Sequence, residues 1–338
     1  MIWSFLVSLF TVKSQNCPNE GTVFLSAFTS KCNTDPFILA FEDNFDGNSL
    51  NTDLWEIQPW GQGSYDDDNS YQYYTLNNVE VSDGTMKIFA RQENVLARSI
   101  SWKPDNEIMR DGRPNLREYS ITSSNLWSKK QFGYGKYEIR CKIPEGIGLW
   151  PAFWTFGDNP WSEIDVFEFW TQKVLGSPSL SKSNSTVEQS IHSNYPNGEH
   201  YGCTKSFTDG TDYTKDFHTF TMIWDRYSVK WYIDGVFTRR QSHYYTTLGQ
   251  GVNCNGITPY KQYTKNYVFP QREFQNIIVN LAVSTGDKAP ISKDIFPASF
   301  EIDYIKYYTK NDCGSDKEFY STEDLYLNEY NNFIGGVI

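Results

Sequence analysis

Gly135-Lys-Tyr-Glu-Ile-Arg-Cys-Lys-Ile143 alternates at every second position: Tyr137, Ile139, Cys141 and Ile143 fall on one face, Lys136, Glu138, Arg140 and Lys142 on the other. A period of two belongs to a half-buried β-strand and not to a helix. Similar strand signals, as alternation or as short continuous apolar runs, recur in Met86–Ala90, Thr219–Trp224, Val229–Ile233, Asn276–Ala282 and Phe300–Tyr308. Gly, Pro, Asn and Asp turns separate them, and Asp234-Gly235 marks a hairpin. Amphipathic helical stretches are almost absent, and no solenoid repeat is visible. Regularly spaced strands with few helices predict an all-β sandwich or barrel.

The 338 residues are enough for one large β domain or two ordinary ones. With 30 basic and 41 acidic residues the net charge is −11, which argues against a nucleic-acid partner, whose footprint is a basic face. A mean hydropathy of −0.57 reads as a soluble chain. Aromatics are unusually frequent: 11 Trp, 23 Tyr and 23 Phe make up 17% of the sequence. Such residues favour strands, and where exposed they offer flat faces to ligands.

The one long apolar run, Ile2 to Val12, is too short to span a bilayer of roughly 30 Å. It is expected to be the h-region of a signal peptide over residues 1–14, cleaved near Gln15, although no Lys or Arg precedes it. A buried first strand is the competing reading. Secretion, to the exterior, the cell surface or the periplasm, suits the even set Cys17, Cys32, Cys141, Cys203, Cys254 and Cys313. Cys17–Cys32 and Cys203–Cys254 are candidate bridges by proximity in sequence, and free buried thiols are the alternative. Residues 15–38 read as an N-terminal extension. Long loops are expected over Gln58–Tyr74, Ser99–Glu118 and Thr171–Ser190, the last holding the sequon Asn184-Ser185-Thr186. The Asp66-Asp67-Asp68 run lacks the glycine of an EF-hand and is expected to be a solvated loop. Residues 310–338 form an acidic, polar tail that ends in apolar residues, as if a further segment began there.

Trp161-Ser-Glu-Ile-Asp-Val-Phe-Glu-Phe-Trp170 carries the chemistry. On a strand Glu163 and Asp165 share a face, and Glu168 would point away from them. An inserted residue near Val166–Phe167, a β-bulge, brings Glu168 back to the same face. Three carboxyls so crowded oppose joint ionisation, and two with separated pKa values are what glycoside hydrolysis requires. An edge strand with solvated acids is the plainer reading, but Trp154, Trp161, Phe167, Phe169 and Trp170 surround the motif with apolar and aromatic surface.

Tyr134 to Trp154, followed by Glu163-Ile-Asp-Val-Phe-Glu168, resembles glycoside hydrolase family 16, in its laminarinase-type branch with the bulged ExDxxE signature. Leu39–Gly47, Phe217–Trp224, Lys230–Gly235, Asn280–Val283 and Ile302–Ile305 match further family blocks in order, so the resemblance runs from Leu39 to Thr309. It implies a catalytic domain over 39–309: a β-jelly roll of two curved antiparallel sheets with a polysaccharide lying across the concave face. Carried over by position, Glu163 is the nucleophile and Glu168 the general acid/base, with Asp165 between them orienting Glu163 and tuning it. A carboxyl spacing of about 5–5.5 Å predicts retention of configuration.

Trp150, Trp154 and Trp161 are candidates for stacking on sugar rings, with core packing as the alternative. The resemblance places Asn78 and His192 near the cleaved bond, while His200, His218 and His243 read as structural or surface residues. Chemistry of this kind needs no cofactor. Relatives often bind a structural calcium, for which Asn44, the Gly84 carbonyl and Asp303 stand at the matching positions. Two departures blur the substrate: Ser284-Thr-Gly-Asp-Lys288 replaces a Trp-bearing segment, and Asn125 stands where the family often has arginine. The expectation is a monomeric, secreted, retaining endo-glycosidase acting on β-1,3-linked glucan. Hydrolysis of algal galactans (agar, porphyran or carrageenan), transglycosylation, or non-catalytic glucan recognition are the alternatives. The retained glutamates disfavour the last.

Overall fold

The computed structural model describes residues 14–15, 37–59, 61–63, 72–158, 161–171, 184–194, 200–225, 228–253, 256–265, 270, 274–285 and 292–310. Expectations for residues 1–13, Asp66–Asp68, the tail, and Cys17, Cys32, Cys254 and Cys313 lie outside them. Two eight-stranded sheets carry the fold, and among the described residues the only helical turns are the 3₁₀ segments Leu76–Asn78 and Lys293–Ile295. No helix of the described residues is long and apolar enough to cross a membrane.

The first sheet orders its strands Ser14–Gln15, His200–Thr208, Thr186–Asn194, Trp161–Glu168, Leu149–Asp158, Gln275–Val283, Asn125–Phe132 and Trp55–Ile57. The second runs Val236–Ser242, Ser228–Ile233, His218–Trp224, Gly135–Lys142, Ala298–Lys310, Thr85–Ala90 and Val79–Ser82, and Phe37–Asp43 also pairs with Ala298–Lys310. The pairs linking the two orders are antiparallel.

Alternation in the sequence becomes alternation in space. Tyr137, Ile139 and Cys141 are buried while Lys136, Glu138, Arg140 and Lys142 are half-exposed. The inward faces of both sheets meet in one core, where Ile164, Val166, Phe167 and Phe169 lie with Phe220, Met222, Trp231, Phe300 and Ile302. Phe167 and Phe220 approach to 4.4 Å between ring centroids. Burying rings of this size removes about 150–250 Å² each from water, so the core supplies the drive to stack the sheets. The Asp234-Gly235 hairpin forms as expected. Both residues have positive φ (49° and 77°), and Ile233 pairs with Val236 across a two-residue turn.

Two loop assignments need correction. Ser99–Glu118 is flanked by the strand pair Val95–Arg98 and Leu116–Tyr119, and Asn115 bonds Ile100 and Lys103 to close a built lobe. A buried Arg117–Asp111 ion pair at 2.6 Å holds it. The loop expected to reach Ser190 gives way at Thr186 to a strand, whose residues Glu188 and Ser190 pair with Glu168 and Asp165. Cys203 is disulfide-bonded, and Cys141 is a free buried thiol.

Candidate active site

The strand Trp161–Glu168 lies between Leu149–Asp158 and Thr186–Asn194. Against the first neighbour Asp165 pairs with Trp154, but Phe167 pairs with Phe153; against the second Asp165 pairs with Ser190, but Glu168 pairs with Glu188. The acidic strand therefore spends one extra residue on each side, which is the β-bulge that the spacing of the three acids requires. Ile164, Val166 and Phe167 turn into the core, while Glu163, Asp165 and Glu168 are left for the other face of the sheet.

Across the ladder from Glu163 stands His192, whose Nε2 lies 3.4 Å from Asp165 Oδ2. Ligating atoms of Glu163, Asp165 and His192 all fall within 4.8 Å of one another. Glu168 Oε1 accepts from Trp150 Nε1 at 3.1 Å and from Trp170 Nε1 at 3.2 Å, and the two indoles stack at 3.6 Å. Ser190 Oγ lies 3.5 Å from Glu168 Oε2 and 2.9 Å from Thr204 Oγ1. Behind Glu168 the buried Glu188 accepts from Ser206 Oγ at 3.0 Å.

Charge crowding in this small space sets the protonation. Burial first, then the Asp165 charge, pushes Glu168 up to about 8, against the opposing pull of His192 and the Trp150 hydrogen bond. The same two causes hold Glu163 well above the usual carboxylate range, again opposed by His192. Burial works against the His192 imidazolium, but its hydrogen bond to Asp165 and the surrounding carboxylates outweigh it and raise the ring to about 9. Glu163, Glu168 and His192 lie in one another's fields, so their titration steps belong to the cluster. Near neutral pH Glu168 is held as the acid and His192 as the imidazolium, with the Glu163 carboxyl beside them, an arrangement that sets a proton donor next to a second carboxyl group.

His192 also needs an empty space above it. A Cβ on Gly202, its partner in the next strand, would lie 2.5 Å from His192 Nδ1. Only glycine leaves room for the ring there.

Trp154 and Trp161 sit on the same face in a second apolar cluster with Trp127, Phe156 and Ile278. Trp154 donates Nε1 to Asn280 Oδ1 at 2.7 Å, and Asn125 donates to Gln58 Oε1 at 2.9 Å nearby. Both indoles are half-exposed, so cleft and packing descriptions hold together for them. Asn78 requires correction: it is fully buried, and its Nδ2 donates to the Phe89 carbonyl at 2.8 Å and to Thr122 Oγ1 at 3.0 Å, so it presents nothing to a ligand. His218 pairs with Asp234 at 2.7 Å, a structural role as expected. The calcium set does not fit either. Asp303 is paired with Arg140 at 2.5 Å and Asn44 Nδ2 donates to Glu42, so the one carboxylate of the set is already neutralised. Sequence reasoning missed Trp170 as a partner of Glu168, Glu188, Ser190, Asn280 and Gly202. Trp170, two residues from Glu168, carried a signal; the others depend on cross-strand register.

Two sheets packed face to face, with a bulged acidic strand central to one of them, place the molecule among the jelly-roll glycoside hydrolases as an architecture. The chain belongs to the glycosyl hydrolases family 16, whose model matches residues 73–261. It is 27% identical over 306 residues to glucan endo-1,3-beta-glucosidase A1 of Niallia circulans, covering 81% of this chain and 39% of that one. To the glucan endo-1,3-beta-glucosidase of Cryptopygus antarcticus it is 28% identical over 303 residues, covering 81% and 93%. The endo-beta-1,3-glucanase of Pyrococcus furiosus superposes with a TM-score of 0.57 at 27% identity, covering 81% of this chain and 95% of that structure. The chain thus spans about two fifths of the first relative's length and nearly all of the second's.

Proposed function

We propose that this chain is a retaining endo-glycosidase that hydrolyses β-1,3-linked glucan, with Glu163 as nucleophile and Glu168 as general acid/base. The observation that carries it is the bulge, which sets Glu168 beside Glu163 and Asp165 with its pKa raised to about 8. Glu163 must attack as its carboxylate, and the His192 imidazolium across the ladder favours that form. Its carboxylate attacks the anomeric carbon as the glycosidic C–O bond breaks, and the leaving oxygen takes the proton of Glu168. Glu168, now a carboxylate, removes a proton from water, which attacks the same carbon and releases Glu163 from its ester. Asp165 and His192 balance the charges as they move between the two glutamates. Trp150, Trp154 and Trp161 supply faces for the sugar rings.

The names of the relatives support β-1,3-glucan as substrate. The disulfide-bonded Cys203 supports secretion into an oxidising compartment. Reducing-sugar release from laminarin, lichenan, agarose, porphyran and carrageenan, with NMR of the first products, tests both parts. Release from laminarin as the retained anomer is expected. Inverted product would overturn the mechanism, and activity confined to a galactan would overturn the substrate.

A further inference from the structure

We infer that Trp231 and Arg239, on the sheet behind the cleft, are positioning residues that hold the bulge and thereby aim Glu168. A bulge leaves main-chain groups without ladder partners. Here the Asp165 carbonyl, at the edge of the irregularity, accepts from Trp231 Nε1 at 2.9 Å, across the core from the opposite sheet. On the neighbouring strand, Gln189 lies between the paired positions Ser190 and Glu188, opposite the two residues of the bulge. Its carbonyl accepts from Arg239 Nη1, and Arg239 Nη2 reaches the Cys203 carbonyl at 3.2 Å. Trp231 and Arg239 are themselves paired across two adjacent strands, with the guanidinium 4.7 Å from the ring centroid. Both are buried.

The pair therefore binds the two carbonyls that flank the bulge, one on each strand. Neither side chain faces the cleft. An ordinary core would not place a guanidinium there, because burying that charge is costly unless its hydrogen bonds are met. Main-chain carbonyls on two first-sheet strands meet two of them. With both ties in place, the backbone between Asp165 and Glu168 has one geometry, and the Glu168 carboxyl meets Trp150 and Trp170. With a tie lost, the extra residue is free to relax along the strand, and Glu168 shifts while Glu163, two residues before Asp165, stays in register with Phe156 and His192.

This rests on the proposed role of Glu168, so the test separates proton donation from the rest of the reaction. Trp231→Phe keeps the ring and removes its donor; Arg239→Lys keeps the charge and one donor; Arg239→Met removes both. kcat/KM is measured on laminarin oligosaccharides, whose leaving oxygen needs a proton, and on a dinitrophenyl β-laminaribioside, whose leaving group needs none. For Trp231→Phe and Arg239→Met the oligosaccharide value is expected to fall about 10- to 100-fold and the aryl glycoside value by less than about threefold, with Arg239→Lys between them and wild type. An equal fall on both substrates in folded variants, or no fall on either, overturns the inference. A wild-type enzyme inactive on both substrates overturns the proposed function and the inference with it. If Trp231→Phe fails to fold, the two Arg239 variants give the same reading.

Discussion

Glu168→Gln removes a proton site while keeping the shape of the side chain, and two consequences follow from one cause. Folding carries Glu168 into a place where burial and the Asp165 charge lift its pKa from 4.5 to about 8. A group raised in this way gives its full contribution to stability below the unfolded value and loses it as the pH climbs through the folded one. In between, the unfolded chain ionises and the folded chain is held neutral. At pH 7 the lag is about two and a half units at about 1.4 kcal/mol each, so the acid costs the fold at most about 3.5 kcal/mol. Glu168 keeps some contact with water, which brings the expected cost to about 1–2 kcal/mol. Gln retains an Oε1 to accept from Trp150 and Trp170 but has no proton to lose. Urea unfolding of the variant and wild type is therefore expected to show near-equal stability at about pH 4 and a variant advantage of about 1–2 kcal/mol by about pH 7. Turnover of laminarin falls by about 10²- to 10⁴-fold in the same protein. A stability gap that is the same at both pH values, or that favours wild type at the higher one, refutes the assignment of strain to the Glu168 charge.

Wild-type kcat/KM is expected to fall as the pH rises through about 8, where Glu168 loses the proton that the proposed mechanism has it donate, and a pH–rate profile checks the position of that limb. Trp150→Phe removes a donor that favours the charged form, so this limb moves upward by about half a unit to one unit. Gly202→Ala forces the His192 ring aside, and kcat is expected to drop about 10- to 100-fold with little change in KM, as steady-state kinetics would show. Glu163→Ala is expected to lose at least about 10³-fold in kcat, with azide restoring turnover as the inverted glycosyl azide detected by NMR.

The sandwich was legible because a strand's period is local. Residues such as Tyr137, Ile139 and Cys141 declare an inward face within nine positions, and two-sheet packing follows from having many such faces to bury. The three acids were legible for a related reason: Glu163, Asp165 and Glu168 share a face only if one residue is bulged, and that is how the strand pairs. What escaped depends on register between distant strands. Glu188 falls in a Ser-rich stretch that reads as loop, yet pairing puts it opposite Glu168. Gly202 matters only because His192 lies across the ladder from it. Asn78 misled in the opposite sense: its position in the chain matches a cleft residue, whereas its amide serves Phe89 and Thr122 in the interior.

The charge balance of the cluster bears on which polymer the cleft suits. The whole chain carries −11, but a ligand meets local groups and not the sum. Among the described residues in contact with the three acids, the cation is His192, and it is committed to Asp165. Indoles, hydroxyls and amides surround the rest: Trp150, Trp154, Trp170, Ser190, Thr204 and Asn280. A sulfated sugar placed here would bring a fixed negative charge beside Asp165 and Glu163, a repulsion that low local polarity would strengthen. A neutral glucan brings only hydroxyls and the apolar faces of its rings, which indoles and amides accept. The Asp165 charge that helps Glu168 keep its proton is thus the same charge that would repel an anionic sugar.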